Sequence, residues 1–220
     1  MSIEVESIVD VSTKKYPTAE VTLPWEMVRE AMRWDLSPAA LEAIEFTFDS
    51  VHIRRSTELA TYAETSFPPG RRLLEAVLDL TRRIHEDFKY SPATTTISTT
   101  LPEVMRMRKG VCQDFAHLQI GCLRSMGLAA RYVSGYLRTL PPPGKPRLIG
   151  ADASHAWVSV YFPGFGWLDF DPTNNRVPSA SHITLAWGRD YDDVSPVRGV
   201  LVGGGKQRMV VGVDVEPIEE

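Results

Sequence analysis

One cysteine of this 220-residue sequence, Cys112, stands where a thiol can act as a nucleophile. It opens a predicted buried helix, Cys112–Ser125, and follows the cationic residues Arg108 and Lys109. A helix N-terminus carries about half a positive charge, which favours a thiolate, and its free N–H groups can stabilise an oxyanion. The alternative is a buried cysteine that packs as a small apolar residue.

The second cysteine, Cys122, is predicted to belong to the core. It lies ten residues further along the same helix, which is roughly 15 Å at the helical rise per residue. The two thiols therefore cannot bond to each other. Two cysteines in a chain of this length exclude a disulfide framework and favour a reducing, cytoplasmic location.

A base and a carboxylate that orients it are predicted on two neighbouring strands. His155 enters one strand, and Asp171 follows sixteen residues later, after the next strand. Because the segment 162–166 is typical of a hairpin turn, the two strands should be antiparallel, and the imidazole and the carboxylate can meet. Together they would supply the base and the orienting group that a thiol nucleophile needs. A structural histidine and a turn-forming aspartate are the alternatives.

Four other histidines are weaker candidates for chemistry: His52, His85, His117 and His182. The sequence has neither the Cys-x-x-Cys nor the His-Glu-x-x-His spacing of common metal sites, and it lacks the glycine-rich loop that cradles a phosphate. We therefore expect no metal and no cofactor.

Composition narrows the class of partner. The chain carries 24 basic and 28 acidic residues, a net charge of −4, which gives no support to nucleic acid or an acidic membrane. The apolar runs fall short of the ~20 residues of a membrane span, and the first residues lack the pattern of a signal peptide. We expect a cytoplasmic protein with a peptide or protein substrate, and the oligomeric state stays open.

The elements that must position these residues are predicted as helices followed by antiparallel strands, which indicates the α+β class. Apolar periodicity predicts helices over 71–89 and 101–108 in addition to the helix that Cys112 opens. Residues 1–23 alternate with the two-residue period of a half-buried strand. Further strands are predicted over 130–137, 156–162, 167–170, 183–187 and 209–215.

Four motifs occur in an order that resembles the bacterial transglutaminase-like superfamily. They are Gly110-Val111-Cys112-Gln113-Asp114-Phe115-Ala116-His117, Ala130-Arg131-Tyr132-Val133-Ser134-Gly135-Tyr136, Ser154-His155-Ala156-Trp157 and Trp167-Leu168-Asp169-Phe170-Asp171-Pro172-Thr173-Asn174. The resemblance implies that Cys112 is the nucleophile, His155 the base and Asp171 the orienting group. It also implies a papain-like α+β fold, with the nucleophile at a helix start and the other two residues on a sheet.

The resemblance covers roughly residues 56–213. Members of this type usually carry a longer β-rich N-terminal region, so we divide the chain into a partial N-terminal β-containing region, 1–55, and a transglutaminase-like catalytic core, 56–220. Calcium-dependent animal transglutaminases have additional β domains that do not fit in 220 residues, so calcium activation has no support.

The leading hypothesis is a thiol-dependent amide or peptide hydrolase or acyl transferase, similar to a cysteine protease. The alternatives are a protein-glutamine transglutaminase that crosslinks proteins, and a non-catalytic module that binds a peptide. Tyr90 is a candidate second donor to the oxyanion or a residue at the edge of the core. Trp157 lines the site or packs under the histidine. The loop 141–146 forms a wall of the cleft or is a rigid surface loop.

Overall fold

The computed structural model describes residues 4–139, 152–196, 199, 203 and 211–218. Helices come first in the described chain and the longer strands second, so the α+β prediction is confirmed. The helices are α1 (Trp25–Trp34), α2 (Pro38–Ile44), α3 (Thr57–Glu64), α4 (Leu73–Asp87), α5 (Leu101–Met107) and α6 (Cys112–Ser125). The strands are β1 (Lys89–Tyr90), β2 (Lys109–Gly110), β3 (Ala130–Leu137), β4 (Ala153–Phe162), β5 (Gly166–Phe170) and β6 (His182–Gly188).

The four longer strands form one antiparallel sheet in the order β5-β4-β3-β6. A tight turn joins β4 to β5, with Gly164 and Gly166 at positive φ, which confirms the predicted hairpin. β6 pairs with β3 at the opposite edge of the sheet. β6 follows β5 in the chain but is therefore separated from β5 in the sheet by two other strands, β4 and β3.

Helix α6 lies at the centre of the fold. It packs against β3 and β4 on one side and against helices α3, α4 and α5 on the other. Its apolar side chains cover most of its circumference, and every residue from 114 to 124 is buried. The prediction of a buried helix is confirmed, and burial of this kind fixes the position of its first residue relative to the sheet.

Two short strands determine how the chain enters α6. Arg108, the residue that follows α5, adopts a left-handed backbone with φ of 53° and so ends the helix and turns the chain. The next two residues form β2, which pairs in parallel with β1, so that Tyr90 lies opposite Gly110. A Cβ atom on Gly110 would lie 2.8 Å from the Asp114 side chain, so the close approach requires glycine there.

Two predicted strands differ from the structure. The described residues 4–18 form no strand, and Val5 and Ile8 are about 80% exposed. An alternating pattern gives a strand only where a neighbour accepts its backbone hydrogen bonds, and within the described residues none pairs with this segment. Of the predicted strand 209–215, residues 209 and 210 lie outside the described residues, and the rest shows a single bridge between Val213 and Asp152.

The boundary near residue 55 remains a prediction. Side chains of α1 and of the segment after α2, among them Trp25, Val28 and Phe46, belong to the same hydrophobic cluster as α4, α6 and the sheet. No helix in the described ranges combines the length and the apolar character needed to cross a bilayer.

Gly135 on β3 is a position at which the sheet tolerates no side chain. A Cβ there would lie 2.1 Å from the carbonyl oxygen of Ile183 and 2.5 Å from the ring of Trp157. We expect Gly135→Ala to lower the free energy of unfolding by about 1–3 kcal/mol, the usual cost of overpacking a core. Urea unfolding measures this, with Ser134→Ala as the control at the next position. Equal stability of Gly135→Ala and the parent would contradict the packing described here.

Candidate active site

Cys112 is the first residue of α6 and is half-buried. The turn before it is held by Asp114, whose Oδ2 accepts hydrogen bonds from Val111 N at 2.8 Å and from Thr95 Oγ1 at 2.6 Å. The side chain of Asp114 thus binds the backbone of the residue before the helix and connects the helix start to the serine- and threonine-rich loop after β1.

His155 and Asp171 meet as the hairpin predicts. His155 Nε2 lies 2.8 Å from Asp171 Oδ2, and both side chains are buried. Because an ionised carboxylate can only accept a hydrogen bond, Nε2 carries a proton and donates a hydrogen bond to Asp171. Nδ1 is then the ring nitrogen left for Cys112.

Asp171 is fully buried and collects donors on both carboxylate oxygens. Oδ1 accepts from the backbone N–H groups of Thr173 at 2.9 Å and Asn174 at 3.1 Å. Oδ2 accepts from Asn174 Nδ2 at 2.7 Å, from His155 and from His182 Nε2 at 3.2 Å. Burial raises the pKa of this carboxyl, but the hydrogen bonds from His155, His182 and Asn174 outweigh it and hold the pKa well below its usual range.

His155 and Asp171 are in direct contact, and Cys112 lies close enough to His155 to act on its imidazole. Burial lowers its pKa, but hydrogen bonding to Asp171 and to Cys112, and the charges of both partners, outweigh burial and raise the pKa to about 9. These interactions favour the imidazolium form of the ring at neutral pH, with the Asp171 carboxylate on Nε2.

Trp157 and Tyr90 differ in their placement. Trp157 is fully buried, with its ring centroid 6.1 Å from that of His155 and 5.3 Å from that of His182, so it packs beneath both histidines. Tyr90 is 51% exposed, and burial together with the charge of nearby Cys112 raises the pKa of its phenol. The pairing of β1 with β2 places Tyr90 beside the nucleophile candidate. The loop 141–146 lies outside the described residues.

The sequence ranks His182 among the weaker candidates for chemistry, but the structure places it next to His155 and Asp171. His182 opens β6 and is buried within hydrogen-bond distance of Asp171. No local pattern marks it, since it follows a polar loop in the sequence. Only the sheet order brings the start of β6 close to the end of β5.

Cys122 and His117, the other thiol and the buried histidine of α6, belong to the packed interior of the protein. Burial raises the pKa of the Cys122 thiol to about 12. Burial lowers the pKa of His117 to about 3, and its Nε2 accepts a hydrogen bond from Tyr191 N at 3.1 Å. Both cysteines are free thiols, as predicted.

One cluster in the described part of the chain has side chains close enough to hold a metal ion. His155, Asp171 and His182 place one ligand atom each within 4.8 Å of one another. In the structure the Nε2 atoms of both histidines lie within hydrogen-bond distance of the same Asp171 oxygen. The cluster is therefore satisfied by its own hydrogen bonds.

The sequence profile of the transglutaminase-like superfamily matches residues 60–172, about half of the chain. A Mycobacterium tuberculosis protein, named only as uncharacterized, is 46% identical over 227 residues, which cover 100% of this chain and 71% of that protein. A protein-glutamine gamma-glutamyltransferase of Pseudomonas aeruginosa is 32% identical over 127 residues, 56% of this chain and 19% of the relative.

A solved structure, described as a proposed cysteine protease from Cytophaga hutchinsonii, superposes on this chain with a TM-score of 0.60 at 32% identity. The match covers 73% of this chain and 50% of that chain, so the chain spans about half the length of this solved relative. The likeness confirms the papain-like, transglutaminase-like α+β arrangement expected from the four motifs.

The raised pKa of His155 predicts a pH dependence of stability. Its folded pKa of about 9 exceeds the ordinary value of 6.5, so the stabilisation is fully present below 6.5 and is lost as pH rises through 9. At 1.36 kcal/mol per pKa unit this is about 3 kcal/mol. Urea unfolding at pH 6 and at pH 9.5 should show His155→Gln far less stable than the parent at pH 6 and much closer to it at pH 9.5. A stability gap between His155→Gln and the parent that stays constant between these pH values would contradict the ion pair.

Proposed function

The chain belongs to the transglutaminase-like superfamily, and on that premise we propose that it is a thiol-dependent amide or peptide hydrolase that uses Cys112, His155 and Asp171. The observation that carries the proposal is a buried imidazole that is hydrogen-bonded to a buried carboxylate and lies near a half-buried thiol. A nucleophile, a base and an orienting group in contact are the arrangement that acyl transfer through a thioester requires.

In the proposed acylation step, the Cys112 thiolate attacks the carbonyl carbon of an amide and forms a C–S bond. The proton on His155 passes to the departing amine as the C–N bond breaks, which leaves a thioester and a neutral imidazole. Asp171 keeps the ring oriented, because its carboxylate holds Nε2 while Nδ1 faces the reacting atoms.

In the proposed deacylation step, neutral His155 takes a proton from water while the water oxygen attacks the thioester carbonyl. The C–S bond breaks, and the acid product leaves as the thiolate and the imidazolium re-form. The first backbone N–H groups of α6 have no acceptor within the helix, so they can stabilise the oxyanion in both steps. The phenol of Tyr90, beside Cys112, is the proposed second donor.

The two functionally named relatives point to different acyl acceptors, since one is named a glutamyltransferase and the other a protease. We favour water. Carboxylates that could attract an acceptor amine are used by the fold: Asp190 accepts from His52 N, Asp193 pairs with Arg189, and Asp152 accepts from Val215 N. The cytoplasmic location expected from the sequence stays a prediction.

A non-catalytic peptide-binding module is the alternative function. Such a module needs no charged partner beside its thiol, whereas here His155 is hydrogen-bonded to a buried carboxylate, and nearby Cys112 helps to raise the pKa of its ring. Rates of reaction with a thiol reagent separate the two functions at neutral pH. We expect Cys112 to react much faster than Cys122, and two equally slow thiols would favour the binding module.

Substitution of the two cysteines should have opposite effects. Cys112→Ala removes the nucleophile at a helix end and should abolish turnover while the protein stays folded. Cys122→Ala leaves a small void in the core, so it should lower stability by about 1 kcal/mol and keep activity. Peptide and amide hydrolysis is measured next to urea unfolding for both variants. Full activity in Cys112→Ala would contradict the mechanism.

The fate of the thioester forms a separate prediction. A glutamine peptide incubated with a millimolar primary amine should give mainly free acid or cleaved peptide, because water is far more abundant and the amine is largely protonated at neutral pH. Mass spectrometry quantifies the products, with Cys112→Ala as the blank. An amine adduct as the main product would instead identify the enzyme as a transglutaminase.

A further inference from the structure

The site contains a histidine that the proposed mechanism does not use. We propose that His182 is a positioning residue, whose Nε2–H is donated to the Asp171 oxygen that also holds His155. The inference rests on the proposed function and adds to it: His182 sets how firmly the carboxylate holds the base. It acts through Asp171.

The structure fixes which nitrogen of His182 carries the proton. Its Nδ1 accepts a hydrogen bond from Ser179 N at 3.5 Å, and the backbone N–H of His182 returns to Ser179 O at 2.9 Å. With Nδ1 as the acceptor, the proton lies on Nε2, which points at Asp171 Oδ2 at 3.2 Å. The rings of Trp157 and His182 pack edge to face at an interplanar angle of 87°, so the orientation of the His182 ring is held by packing as well.

Three side-chain donors share the Oδ2 atom of Asp171, and this weakens the hydrogen bond that the carboxylate makes with each of them. His182 and Asn174 both contact the Oδ2 that accepts from His155. Without His182 the same negative charge would act on fewer donors, and the imidazolium of His155 would hold its proton more tightly. A base that must be neutral for deacylation would then be less available at neutral pH.

Asp171 should keep its place when His182 is replaced. The backbone N–H groups of Thr173 and Asn174 hold Oδ1, and the Asn174 amide stays on Oδ2. The effect of His182 is therefore on the electrostatics and orientation of the pair, and a gross collapse of the site is not expected.

A cavity of about 300 Å³ adjoins His182 and gives access to its position. Its walls come from the segment 9–16, from the strands β5 and β6 and from Trp157, and the charged side chains on them are Asp10, Lys14 and Asp169. Lys14 pairs with Asp169 at 3.4 Å. In His182→Ala this cavity would extend to Asp171, so a small donor such as free imidazole can reach the carboxylate.

The test compares four variants in steady-state hydrolysis across pH. His182→Phe keeps a ring against Trp157 but has no donor, whereas His182→Gln restores an N–H near the former Nε2. At metal sites, loss of the hydrogen-bond partner behind a metal-binding histidine typically lowers metal affinity or activity 10–100-fold. His182 has a comparable supporting place behind Asp171, so we expect kcat of His182→Phe to fall about tenfold with KM unchanged. Its acidic limb in kcat should move to higher pH, and His182→Gln should keep most of the parent's kcat.

The other two variants are His182→Ala and the control His52→Phe, which changes a histidine that stacks on His117 outside the site. Imidazole should restore kcat of His182→Ala in a saturable way and leave His52→Phe unaffected. A parent-like kcat and pH profile in folded His182→Phe, a His182→Gln as slow as His182→Phe, or no rescue by imidazole would each overturn the assignment.

The role of His182 can be tested even if the protein hydrolyses none of the peptides tried. NMR titration of the His155 ring in His182→Phe should give a midpoint above that of the parent, and in His182→Gln a midpoint close to the parent's. An unchanged midpoint in His182→Phe would overturn the role of His182, whereas loss of the proposed function alone would leave the shift in place. If His182→Phe does not fold, His182→Ala replaces it as the variant without a donor. Its midpoint is then compared with those of His182→Gln and the parent.

Discussion

A carboxylate without contact to water is the constraint on which the site depends. Asp171 is fully buried, and a buried charge of this kind is tolerated only when hydrogen bonds replace its hydration. Two backbone N–H groups, the amide of Asn174 and two histidines supply them. The same bonds orient His155, and Cys112, at the start of a helix whose position the core fixes, lies near its imidazole.

Much of this arrangement could be predicted from the sequence, because its signals are local. The apolar circumference of α6 predicted a buried helix, and its bounds, Cys112–Ser125, agree with the structure. The turn between β4 and β5 fixed their antiparallel register, and with it the meeting of His155 and Asp171. The four motifs then led to the transglutaminase-like superfamily, whose profile matches the chain.

The rest depends on pairing between distant segments, which local pattern does not encode. The alternating residues near the N-terminus resemble a strand, yet none of the described residues pairs with them, and they stay irregular. His182 has no distinguishing neighbours in the sequence, and it reaches Asp171 only because β6 pairs with β3 at the far edge of the sheet. The requirement for glycine at position 135 also depends on distant segments, because the atoms that a Cβ would meet belong to Trp157 and Ile183 on other strands.

The most direct test of the account is to trap the acyl-enzyme. The protein is mixed with an activated amide substrate, quenched in acid within one turnover and analysed as intact protein and as peptides by mass spectrometry. We predict an adduct with the mass of the acyl group on the peptide that carries Cys112, and none on the peptide that carries Cys122. Turnover with no acyl group on Cys112, or an adduct on another residue, would contradict the account.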